Sequence, residues 1–167
     1  MKSFRLARLL LVGLVILLTL MPVGGAWATP PEHSTYQLEW EAMEWVDCGD
    51  FWVLEDAVVD VRATNFYDQD GNWIRTQEHW TLNGFVYNLE DPTHWLPENP
   101  THFTVTYDEA GGQTWVGRLI AIPLPGQGII WEGAGIQVWD SDWNLTFWAG
   151  PNDWIEGDTD ALCAALE

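Results

Sequence analysis

A carboxylate, an imidazole and a phenol carry what proton chemistry the sequence offers. Glu78 and His79 sit in the middle of one strand-like run and Tyr107 on the next, and all three are residue types used for general acid–base transfer. If Glu78 is buried beside Trp80, desolvation raises its pKa and makes it a candidate acid or base. At the rim of a sheet it is an ordinary solvated carboxylate. A second set of residues suits binding rather than reaction. Trp80, Tyr107 and Trp115 offer apolar walls with polar handles for a small, largely apolar ligand. Arg118 is a lone cation in the otherwise apolar run 114–122, and would hold a carboxylate or other anionic head group. The competing reading of Arg118 is an ion pair with one of the chain's many acids.

Other chemistries are absent from the pattern. The stretch Asp68-Gln69-Asp70-Gly71-Asn72 resembles a calcium loop, but placing Gly71 sixth puts Phe66 first, where a carboxylate is required. Asp140, Asp142 and Asn144 match positions one, three and five of such a loop, with Leu145 where glycine is needed. No metal site and no cofactor are expected. Cys48 and Cys163 lack a Cys-x-x-Cys or Cys/His companion, so neither reads as catalytic. An even count near opposite ends of an exported domain reads as a disulfide.

Export is suggested by residues 1–28. Lys2, Arg5 and Arg8 precede an apolar run over 9–21 and a small-residue site at Ala26-Trp27-Ala28, the layout of a cleaved signal peptide. The chain carries a net charge of −19, and three of its six basic residues lie in that segment. The rest has 25 acids and only Arg62, Arg75 and Arg118 as cations. Nucleic acid and anionic membranes are thereby excluded as partners, because both require clustered Lys or Arg. With 47% apolar and 14% aromatic residues, the chain is far from the composition of disorder.

The elements that must position these residues read as strands. Residues 29–35, with Pro30-Pro31, form a leader, and 36–167 a single domain. Alternation begins at Tyr36, Leu38 and Trp40 and continues through 51–54 and 57–66. Asp70-Gly71 marks a hairpin turn. In the run 73–88, Trp73, Arg75, Gln77 and His79 fall on one face and Thr76, Glu78, Trp80, Leu82 and Val86 on the other, which is core. Three prolines make 89–100 a loop. Strands are expected over 102–107, 114–122, 129–131, 134–139 and 145–148, with a bulge at Glu132-Gly133. Asp158 would cap a short helix over 159–166 that presents Cys163. The fold class is all-β: an antiparallel barrel of about eight strands with a short C-terminal helix, a β-sandwich being the alternative. Gly117, Gly133 and Gly135 supply the bending a barrel needs.

The segment GRLIAIPLPGQGIIWEGAGIQVWDSDWNLTFWAGPNDWIEGD, together with DALCAAL and DCGDF, resembles a group of secreted bacterial proteins of unknown function. The strand order is similar to that of calycin-type barrels, the lipocalins and allene oxide cyclase-like proteins, and that resemblance implies an apolar-ligand cavity. Nine of the thirteen tryptophans separate by position: Trp80, Trp115, Trp131, Trp139 and Trp148 on strands, and Trp73, Trp95, Trp143 and Trp154 at turns or loops. Three functional classes follow. The preferred one is a secreted, non-enzymatic barrel binding a small apolar or anionic ligand. The others are an isomerase- or cyclase-like barrel using Glu78, His79 or Tyr107, and a carbohydrate or surface module using the loop tryptophans.

Overall fold

The computed structural model describes residues 29–156 and 159–167. The expected signal peptide, 1–28, and the capping Asp158 lie outside the described residues. Eight strands form one antiparallel sheet: β1 (Glu32–Asp47), β2 (Trp52–Tyr67), β3 (Trp73–Asn88), β4 (Trp95–Pro97), β5 (Thr101–Asp108), β6 (Gln113–Leu124), β7 (Gly128–Trp139) and β8 (Leu145–Ala149). One helical turn, α1 (Asp153–Glu156), and a short terminal helix, α2 (Asp160–Leu166), follow. The order is sequential, β1-β2-β3-β5-β6-β7-β8, with β4 alongside β3.

The sheet curls without closing. Trp45 of β1 reaches Trp131 of β7, ring centroids 5.3 Å apart, yet among the described residues β1 and β8 do not pair. The all-β class, the eight antiparallel strands and the short C-terminal helix are those expected from the sequence; the sheet stays open where β8 has only five residues and β1 presents an edge built against pairing. That edge carries Glu32, Glu39, Glu41 and Glu44 and breaks register at Trp40/Met43 and Glu44/Val46. Charges and bulges are the usual means of keeping an edge single.

Several boundaries differ from the sequence reading. β1 starts at Glu32, so the second half of the leader 29–35 is strand, paired to residues 62–65 of β2. The loop 89–100 contains β4, which Pro97 permits because it lies at the strand's end. The irregularity expected at Gly133 is present, but the extra residue is Leu119 on β6, between the pairs Arg118↔Ala134 and Ile120↔Gly133.

Two clusters fill the concave face. Val59, Val61, Leu82, Phe103, Val105 and Leu119 pack at its middle. Val53, Val86, Ile120, Ile122 and Trp131 pack toward one end, where α2 inserts Leu162 and Leu166. These leucines are four apart, hence on one helix face. The Cys48–Cys163 disulfide, Cα atoms 5.7 Å apart, fixes α2 to the end of β1 across 115 residues of sequence. The opposite end carries the β2–β3, β5–β6 and β7–β8 turns and no helix.

Candidate functional site

Directly paired residues on neighbouring strands share a face, so the register locates each candidate. Tyr36, Val61, Trp80, Phe103 and Gly117 form one row across the concave face. The adjacent row is Ala63, Glu78, Val105, Trp115 and Gln137. Trp80, Phe103, Trp115 and Trp139 follow one another with ring centroids 5.4, 5.8 and 6.5 Å apart. Gly117 admits this row: a Cβ there would lie 2.6 Å from the His102 carbonyl oxygen, and its φ of 135° disfavours other residues.

Glu78 is buried, not at the rim. Its carboxylate accepts hydrogen bonds from the Tyr36 hydroxyl, from Trp80 Nε1 at 2.9 Å and from the Tyr107 hydroxyl at 3.1 Å. Burial first, and then the carboxylate each donates to, hold both phenols well above the ordinary tyrosine range. With both oxygens engaged, Glu78 ties the β1 edge to β3 and β5. His79, one residue on, faces the opposite side, where its Nδ1 lies 3.0 Å from Thr104 Oγ1. Strand alternation therefore separates His79 from Glu78 and Tyr107, and the three cannot act on one substrate.

Strand alternation also carries Arg118 away from the interior. Three positions beyond Trp115 on β6, it lies on the convex face, 51% exposed, with a guanidinium nitrogen 3.0 Å from Glu132 Oε1. The ion pair, rather than an anion-binding role beside Trp80, Tyr107 and Trp115, is the arrangement present. Arg62 and Arg75 are exposed as well, so among the described residues no arginine serves the interior.

A cavity of about 440 Å³ opens on the concave face between β6, β7, β8 and α1. Trp115, Leu119, Trp139, Leu145 and Trp154 form its apolar walls, and Gln137 and Asn152 its polar ones. Of the four residues singled out for binding, only Trp115 lines it. Trp80 packs behind, 6.2 Å from Trp115, and Tyr107 belongs to the Glu78 cluster. Trp154 enters because α1 is clamped onto β7: Ala134 N–H donates to the Pro151 carbonyl at 2.9 Å, and Glu132 N–H donates to Asp153 Oδ2 at 2.6 Å. Its indole lies against Gly133, where a Cβ would come within 2.2 Å of Trp154 Cζ3. Two polar atoms on the lining residues, Asn152 Oδ1 and Trp139 Nε1, are buried without a hydrogen-bond partner. The missed residues Leu119, Gln137, Leu145 and Asn152 carried no signal of their own, because a bulge and a docked turn bring them together.

Comparison of the chain with protein-family models, with curated proteins and with solved structures finds no match to any of them.

Proposed function

We propose that the protein binds a small, uncharged, largely apolar molecule in the cavity between β6, β7, β8 and α1. The observation that carries this reading is the lining itself: three indoles and two leucines with two amides and no ionisable side chain. Its volume falls within the range of ligand pockets, roughly 300–1,000 Å³. An anion is disfavoured, since every arginine among the described residues is exposed and the chain's net charge is −19.

A calycin-like relationship is part of the same proposal, with α2 plugging one end and ligand entering from the open side. Export through residues 1–28 is part of the same reading. The disulfide suits an oxidising compartment, and no helix among the described residues is long and apolar enough to cross a membrane. Proton-transfer catalysis is less well supported, because both Glu78 oxygens already accept hydrogen bonds and His79 lies on the other face. A sugar-binding surface is less well supported too: Trp73 and Trp143 are at the turn end, and Trp52 and Trp95 at the other, so they form no common platform.

Two dyes with one skeleton test the reading. Phenylnaphthylamine is neutral, and anilinonaphthalenesulfonate differs from it by a sulfonate. The neutral dye should bind one site with micromolar affinity, and the sulfonate at least tenfold more weakly. Equal binding of both, or saturation by neither, contradicts the proposal.

A further inference from the structure

The three hairpin turns at the open end share one design, and the third departs from it at a single residue. Asp68, Asp108 and Asp140 each begin a turn. The Oδ1 atom of each accepts from the backbone amides two and four residues on, at 2.8–2.9 Å. In each, the amide of the fourth residue donates to the carbonyl of the opening Asp. That fourth residue is always left-handed: Gly71 and Gly111 at φ 84°, and Trp143 at φ 61°. Glycine adopts this backbone freely, whereas a bulky L side chain is strained there.

Nothing inside the fold offsets the strain. Trp143 is 62% exposed, and its indole makes no hydrogen bond or ring contact among the described residues. Strained, unsupported residues of this kind concentrate at ligand sites. The turn's position identifies the site. Its two flanks, Trp139 and Leu145, are paired across β7 and β8, and both line the cavity.

We infer that Trp143 is a ligand-contact residue at the cavity rim, stacking on the flat face of an uncharged, planar conjugated molecule whose far end is held in the cavity. This inference rests on the cavity reading above and adds the ligand's class. Trp115, Trp139 and Trp154 on the walls favour a conjugated ring system, because aromatic faces pack preferentially on one another. Asn152, 3% exposed, also lines the cavity, and its Oδ1 is buried without a hydrogen-bond partner. Phenylnaphthylamine is uncharged and carries flat conjugated rings.

Trp143→Gly restores the residue used by the other two turns, so the fold is kept. The expected result is an unchanged or higher melting midpoint together with phenylnaphthylamine affinity reduced about five- to tenfold, the scale of a lost aromatic contact. Trp95→Ala, removing an exposed indole at the far end that packs on Phe85, should leave affinity unchanged. If wild type binds the dye and Trp143→Gly binds it equally well, the rim contact is overturned while the cavity reading stands. A lower melting midpoint for Trp143→Gly, or equal weakening by Trp95→Ala, also overturns it. If wild type binds no dye, the cavity reading itself fails.

Discussion

Glu98→Gln should abolish a pH dependence of stability that the wild type carries in its core. Glu98 follows β4, at the break between β4 and β5, and turns its side chain inward, where it is 6% exposed beside Glu55 at 3%. Among the described residues neither Glu98 oxygen has a hydrogen-bond partner outside the neighbouring Glu55 carboxyl. Burial, and then the neighbouring Glu55 carboxyl, push Glu98 up to about 9 from an ordinary 4.5. Burial raises Glu55 as well. Asp56 also adds repulsion at Glu55.

The sign follows from linkage. The folded chain holds a proton that the unfolded chain releases above its ordinary carboxylate pKa. The contribution is therefore complete below about pH 4.5 and is lost as pH rises toward 9. Each pH unit in that window can shift stability by on the order of 1 kcal/mol. The amide does not titrate. Urea unfolding of both proteins from pH 5 to 9 isolates the term, because the self-repulsion of the other acids cancels in the difference. Glu98→Gln should gain on wild type steadily with pH, and Glu55→Gln should move the inflection downward. A difference that stays constant over the range would refute the buried-pair reasoning.

Three further outcomes follow from particular contacts. Gly133→Ala drives a Cβ into the Trp154 indole; it should destabilise by about 1–3 kcal/mol and weaken dye binding, and unchanged tryptophan fluorescence would contradict the packing. Glu78→Gln should cost about 1–3 kcal/mol in unfolding free energy. It should also lower the Tyr36 and Tyr107 titrations toward the ordinary phenol range, which alkaline ultraviolet difference spectra would register. Replacing Cys48 and Cys163 by Ser should cost roughly 2–4 kcal/mol, read as a lower denaturation midpoint; a midpoint insensitive to reduction would contradict a disulfide that secures α2.

Strand content and facing were legible from alternation alone. The run 73–88 divides between the two faces as its pattern required, and Cys48 and Cys163 are joined. What alternation could not give was closure, because pairing of first and last strands depends on edge length and charge rather than on period. It should have excluded Arg118 from the Trp115 face, since positions three apart lie on opposite sides of a strand. The cavity was hidden for another reason. Its walls combine β6 with a bulge, two strands joined by a turn, and a helical turn seated over Gly133, and no local spacing records such a meeting. Glu98 was hidden likewise: the prolines around it predicted a loop, and only β4 pairing to residues 85–87 of β3 directs its side chain into the core.

The central claim is that an uncharged molecule occupies the cavity. Native mass spectrometry of the protein isolated from its natural source, compared with a Leu145→Trp variant that fills the cavity from β8, tests it most directly. The account predicts a single non-covalent adduct on wild type, released as an uncharged, conjugated compound on denaturation, and absent from the variant. An adduct that persists on Leu145→Trp, or a wild-type protein that is bare and takes up no neutral dye, would contradict it.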